Sequence, residues 1–142
     1  MSDNTCAEPK YGEICWIEMP VQDVSRAQKL YKDIFGWEFR PDGTPANSGG
    51  VKSLHFFNKG SVQGALLLME EGYQVREYGK SDKEVLPPLP TFCVKECDET
   101  LQKVQANGGK VQCPKTEIGG DMGYYARFFD TEGNVIGIWS QN

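Results

Sequence analysis

Apolar positions along the chain follow two periods. Between Val24 and Phe35 they recur as Val24, Ala27, Leu30, Tyr31, Ile34 and Phe35, the three-and-four spacing of one helix face. Asp23 precedes this run as an N-cap residue, and Gly36 follows it as the left-handed residue that closes a helix. A second run carries Leu101, Val104 and Ala106, with Asp98 as its predicted cap and Gly108–Gly109 at its end. The remaining apolar stretches are short and rich in β-branched and aromatic residues, which predicts strands. They are "EICWIEM" (13–19), "WEFR" (37–40), "KSLHFFN" (52–58) and "VQGALLLM" (62–69), then "TFCVK" (91–95), "KVQC" (110–113), "YYARFF" (124–129) and "NVIGIWS" (134–140). "NKGS" between two of them reads as a hairpin turn with Gly60 free to take positive φ. "RPDGTPANSGG" (40–50) reads as turn chemistry.

The two halves repeat each other. A shift of 109 minus 36, or 73, lays Val21 on Val94, Asp23 on Glu96 and Gly36 on Gly109. The same shift brings Gly60, Val62 and Gly64 onto Gly133, Val135 and Gly137, and a one-residue slip puts Phe56–Phe57 on Phe128–Phe129. Each half therefore reads strand–helix–strand–strand–strand, over residues of about 11–69 and 90–140. Residues 70–89 read as a linker, with a lid over a site as the alternative for so long a loop. One such unit leaves an apolar sheet face open. Two together predict an α+β fold, a single domain with a cupped mixed sheet and helices outside. The hollow is the natural place for a ligand.

Bulk properties narrow the function. A chain of 142 residues with a net charge of −5 has no basic stripe for nucleic acid. Its longest apolar runs, such as Ala65–Met69, are far too short to span a membrane. The start "MSDNTCAEPK" is polar, and the five cysteines, Cys6, Cys15, Cys93, Cys97 and Cys113, form no C-x-x-C pair. These features predict free thiols in a cytoplasmic protein.

"GEICWIEMPVQDVSRAQKLYKDIFGWEF" and the closing "FFDTEGNVIGIW" resemble the vicinal oxygen chelate superfamily, which includes glyoxalase I, extradiol dioxygenases and bleomycin-resistance proteins. The likeness is nearest to its glyoxalase-like branch. It implies the duplicated fold and is compatible with a homodimer, but a fold that hosts many reactions does not specify one. Members that use a metal take one ligand from the first and one from the last strand of each repeat. The resemblance puts those positions at Trp16, Gly64, Leu89 and Gly137. None can hold a divalent cation through its side chain, and of the residues two away on either side only Glu18 is a strong donor. The expectation is therefore no metal and no other cofactor.

Several residues are candidates for work inside the cup. Glu18 shares a strand face with Ile14 and Trp16 and could move protons, or simply sit at a strand end in water. His55, the sole histidine, could be a general base or a packed sheet residue. Arg127, laid on His55 by the repeat, has Tyr125 and Phe129 on its face and could clamp an anion or form a surface ion pair. Trp16, Phe57, Tyr125, Phe129 and Trp139 are candidate walls for a planar ligand, with ordinary core packing as the alternative. Asp121 lies in a glycine-rich loop that matches no phosphate-binding motif. The leading expectation is sequestration of a small organic molecule in a metal-free apolar cup. A metal-independent isomerase or lyase using Glu18 or His55, a metal-dependent member of the superfamily, and an inactive scaffold are the alternatives.

Overall fold

The computed structural model describes residues 10–76 and 83–142. Cys6 and the middle of the segment joining the repeats lie outside them. The first half runs β1 (Ile17–Val21), α1 (Val24–Phe35), β2 (Glu38–Phe39), β3 (Thr44–Ser48), β4 (Val51–Lys59) and β5 (Val62–Met69). The second runs β6 (Thr91–Cys93), α2 (Cys97–Ala106), β7 (Lys110–Glu117), β8 (Tyr124–Phe129) and β9 (Val135–Ser140). Two mixed sheets result, ordered β1-β5-β4-β2, with β3 also on β4, and β6-β9-β8-β7. In each, the strand before the helix pairs in parallel with the last strand, and the other ladders are antiparallel. The fold is the duplicated α+β arrangement that the repeat predicts.

Helix α1 forms where the pattern places it. The Asp23 carboxylate accepts the backbone N–H of Arg26 at 3.0 Å, and Gly36 closes the helix at φ 67°. Helix α2 begins one residue after Glu96, whose side chain accepts the N–H of Glu99. Glu96, not Asp98, is therefore the cap, which the pairing of Asp23 with Glu96 already implied. β1 starts at Ile17 rather than Glu13, because partners on β5 begin at Gly64. "RPDGTPANSGG" is not all turn: Thr44–Ser48 pairs with β4 as an irregular edge strand. Pro45 is tolerated there because an edge strand leaves half its N–H groups unused.

The helix-facing sides of both sheets share one core. Leu30 and Tyr31 of α1 meet Met19, Val21, Phe57 and Leu66 of the first sheet and Ala126, Phe128, Ile136 and Ile138 of the second in a single cluster. Its centre is an aromatic column. Tyr31 stacks on Trp37 at 4.6 Å, Trp37 on Phe57 at 3.9 Å, and Phe35 meets Phe92 of the other half at 4.6 Å. Each such pair adds about 0.5–1.5 kcal/mol beyond area burial.

The turn between β8 and β9 fastens the halves together. Asp130, 4% exposed, accepts the Tyr31 hydroxyl at 2.7 Å and, within its own turn, the N–H groups of Glu132 and Asn134. Glu132 accepts the N–H groups of Gln22 and Asp23 at 2.8 and 2.9 Å and pairs with Arg26 at 2.7 Å. The Asn134 amide donates to the Pro20 carbonyl. Burial raises the Asp130 pKa, against the hydrogen bonds that pull it down. Burial would also raise that of Glu132, but Arg26 and the donated N–H groups outweigh it and hold it below its ordinary 4.5.

Glu132→Gln is therefore expected to lower stability at pH 7 by about 1–2 kcal/mol, because a charged acceptor becomes a neutral one. The ion pair itself contributes little of this, since the Arg26 side chain is 47% exposed. A depressed folded-state pKa means that the contribution is complete above the ordinary 4.5 and fades as pH falls through the folded value. Urea unfolding of both proteins from pH 7 downward should show the gap closing in acid. A gap that stays constant would assign Glu132 to packing alone.

Candidate functional site

The strand registers decide which side chains face away from the helices. Glu18 is level with Ala65, and Ala65 with Phe56, so these three share the open face of the first sheet. Leu54 and Asn58, two residues to either side of Phe56, face the same way. On the second sheet Arg127 is level with Gly137, and Tyr125 with Trp139. Phe129 opposite Val135 continues that row. Glu18, Arg127, Trp16, Tyr125, Phe129 and Trp139 thus all belong to the open faces.

His55 and Phe57 do not. His55 is level with Leu66, and Leu66 with Met19, which places it in the row turned toward the helices. Its Nε2 lies 2.9 Å from the Ser53 hydroxyl, and its ring packs so closely on Gly43 that a Cβ there would fall 2.5 Å from it. Burial lowers the His55 pKa. Phe57 is 3% exposed and stacked on Trp37. Both residues fill the helix side of the sheet, so neither serves as a group aimed into the cup.

For His55 this is the packed-sheet reading, and the strands of the two repeats run at a different shift from the helices. Val21 is level with Leu68, whereas its mate Val94 falls level with Ser140 when the β6–β9 ladder is extended by one rung. The last strands therefore correspond at a shift of 140 minus 68, or 72, one less than between the helix caps. A slip of one residue exchanges the faces of a strand. Gly64 consequently points at Phe57 and the Ile17 carbonyl, while Gly137 points at Thr91 and Leu89 on the open side. Ala65 takes the place of Gly137, and Phe56, not His55, stands where Arg127 stands.

Two recesses open on the first sheet. One, of about 360 Å³, is lined by Trp16, Arg40, Phe56, Asn58, Gly60 and Gln63, with Phe57 also at its border. Trp16 meets the Phe56 ring edge-on at 5.8 Å, and the Arg40 guanidinium lies 5.1 Å over that ring. The other, of about 230 Å³, is more apolar and runs to the second half past Ile14, Ile17, Val62, Pro90 and Phe92. Trp16 and Gln63 line both. Glu18 borders a third hollow, of about 190 Å³, beneath the prolines at 87, 88 and 90. On the second sheet the open face is more occupied. Arg127 lies 4.9 Å over the Tyr125 ring, and the Trp139 indole donates to the Met122 carbonyl at 2.8 Å. Gly123, at φ 83°, lets that loop approach, since a Cβ there would strike Trp139 and the Ser140 carbonyl.

A family model of the Glyoxalase/Bleomycin resistance protein/Dioxygenase superfamily matches residues 13–138. The chain belongs to this superfamily. CFP32 of Mycobacterium bovis, named a glyoxylase, is 30% identical over 138 residues, which are 96% of this chain and 48% of that protein. The chain thus spans about half the length of that curated relative. A glyoxylase-like domain-containing protein of Didymella fabae is 33% identical over 90% of this chain and 93% of its own. Among solved structures, a glyoxalase family protein of Bacillus cereus superposes with a TM-score of 0.70 at 13% identity, covering 94% of this chain and 97% of that one. The fosfomycin resistance protein FosX of Listeria monocytogenes, solved with Mn(II) and a dihydroxypropylphosphonic acid, reaches 0.63 at 19% identity over 92% and 91%. At such identities the structures share the fold.

The strand positions from which a four-ligand site would draw its donors lie among the described residues. The open-face positions of the repeats' first and last strands are Trp16 and Glu18, Gln63 and Ala65, Leu89 and Thr91, and Gly137 and Trp139. One carboxylate stands among them. Among the described residues no three His, Cys, Asp or Glu side chains gather where they could hold an ion. No described helix is long and apolar enough to cross a membrane.

The register makes a direct prediction. Phe57→Ala should cost about 3–5 kcal/mol, as for a large core side chain. Phe56→Ala, on the open face, should cost under about 1.5 kcal/mol. Denaturant unfolding of the two variants reads this off, and comparable losses would contradict the assignment of faces.

Proposed function

We propose that the chain binds a small organic molecule on the open face of its first sheet, without a divalent metal, and releases it unchanged. The observation that carries this reading is the recess walled by Trp16 and Phe56 and edged by polar side chains. Rings placed against one another recognise a planar or apolar guest, and a few polar groups at the edge fix its orientation. The strand positions that would grip a cation hold Trp16, Ala65, Leu89 and Gly137 instead, and Glu18 is the one carboxylate on the same strand faces. Membership of a superfamily that includes bleomycin-resistance proteins supports sequestration as the outcome.

A second reading rests on Glu18. Its carboxylate is exposed on the same face as Trp16, beside a hollow closed by prolines, and Arg127 supplies a cation on the other sheet. In that reading Glu18 takes a proton from a bound substrate and returns it elsewhere, as an isomerase or lyase requires. No second proton-transfer group is positioned beside it among the described residues, so sequestration is the better supported of the two.

Metal analysis of the native protein, followed by thermal shift and product analysis over a set of small organic acids, aldehydes and neutral aromatics, tests both. A ligand at about 100 times its Kd adds about 2.7 kcal/mol, which raises Tm by roughly 5–10 °C for a domain of this size. The expected result is a shift unaffected by EDTA, absent in Trp16→Ala, with the ligand recovered intact. Turnover that disappears in Glu18→Gln would establish the second reading. Stoichiometric Mn, Fe, Ni or Zn, lost together with binding on chelation, would refute the metal-free site.

A further inference from the structure

We propose that the recess beside Trp16 selects a planar carboxylate, its ring against Trp16 and Phe56 and its carboxylate bonded to the Arg40 guanidinium. The inference rests on the small-molecule reading above and names the class of guest. Arg40 directly follows β2, where its N–H donates to the Phe56 carbonyl at 3.1 Å and fixes the backbone beside the recess. Its guanidinium lies over the Phe56 ring at 5.1 Å, which leaves the hydrogen-bonding edge of the fork available to an acceptor. Among the described residues, no carboxylate stands within ion-pair distance of it. Glu38, two residues earlier and level with Asn58, faces the same way, yet among the described residues it makes no ion pair with Arg40 and does not line the recess.

The neighbours suit such a guest. Asn58 and Gln63 are directly opposed across the β4–β5 ladder at the edge of the recess. Their carboxamides, like the Arg40 fork, are exposed and, among the described residues, bond to no other protein group. Three exposed polar side chains thus edge an aromatic wall, and one of them is a cation. A flat acid satisfies all of them: two parallel N–H···O bonds to Arg40, ring contact with Trp16, and amide bonds to any ring substituent. A neutral flat molecule meets the wall but leaves the fork unfilled. A free phosphate fills the fork but ignores the wall.

The test uses cinnamate and its neutral isostere cinnamamide, titrated into the full chain by Trp fluorescence and calorimetry. Cinnamate should bind at least tenfold more tightly, and added NaCl should weaken it while leaving cinnamamide unchanged. Arg40→Gln should reduce the two probes to equal affinity, and Arg40→Lys should keep part of the preference, since charge survives without the fork. The salt series on the wild-type chain decides the matter if the Arg40 variants do not fold. Equal binding of the two probes, a salt-independent cinnamate affinity, or an unchanged preference in Arg40→Gln overturns the proposal. A preference lost in Arg127→Gln instead moves the anion to the second sheet and overturns it too. If cinnamamide binds and Trp16→Ala abolishes that binding while no acid is favoured, this inference fails and the small-molecule reading stands. If neither the two probes nor the wider ligand set binds, that reading fails as well.

Discussion

The buried carboxylate of Asp130 is the constraint on which the two-half arrangement depends. A carboxylate taken out of water is costly unless its lone pairs are met. Here they are met from both halves, by the Tyr31 hydroxyl on α1 and by the turn's own N–H groups and the Asn134 amide. Removing any one donor leaves the others facing an under-satisfied charge, so the set is mutually reinforcing. The turn it shapes then aims Glu132 at the residues just before α1, where it accepts the N–H groups of Gln22 and of the capping Asp23 and pairs with Arg26 near the positive helix end. The start of a helix in the first repeat is in this way tied to a turn of the second. The sheets share no ladder, and the aromatic contacts of Phe35 and Trp37 with Phe92 sit behind this clamp.

Much of this architecture is legible in the sequence because it follows from period and repetition. The i, i+3, i+4 rhythm of α1, the cap at Asp23 and the glycine at 36 are local signals, and local signals act within a few residues. The repeat supplied the topology. It paired Arg127 with His55, where the ladders pair it with Phe56, for a geometric reason. Sequence similarity of Gly64 to Gly137 and of "FF" to "FF" is strongest at shifts of 73 and 72, but the ladders run at shifts of 72 and 71. A double Phe matches itself almost as well one residue out of register, and in a strand one residue is a change of face. Nothing within "SLHFFN" says which Phe is inside. The partner across the ladder says it, and that partner is a long-range fact.

The candidate site was readable to the same extent. Trp16 and Glu18 share a face by simple alternation, as do Tyr125, Arg127 and Phe129, and the structure keeps each group together. His55 and Phe57 were drawn to the site by chemistry, since a lone histidine and an aromatic residue are easy to credit with function, and packing claims them both. Arg40, Phe56, Asn58 and Gln63 escaped notice because three lie outside any chemical motif and Phe56 was overshadowed by its neighbour. One clue was available: in "WEFR" the alternation sends Trp37 and Phe39 one way and Glu38 and Arg40 the other. Once Trp37 is recognised as core, Arg40 must stand on the open face.

The two hairpins show how one duplicated unit came to serve two ends. Between β4 and β5 two residues suffice, Gly60 and Ser61, and the turn remains at the edge of its own sheet, with Gly60 lining the recess. Between β8 and β9 there are five, residues 130–134, and their extra length carries two carboxylates across to α1. The longer turn consumes its polar groups in holding the halves together. The shorter one spends none, and the carboxamides beside it are unpaired among the described residues. A chain that carries five net negative charges repels anions at long range, so an anionic guest must be held by contacts at short range, of which a cation is the strongest. Arg40 stands at such a distance over the Phe56 ring, and the acids of the clamp are engaged elsewhere, by Tyr31 and Arg26.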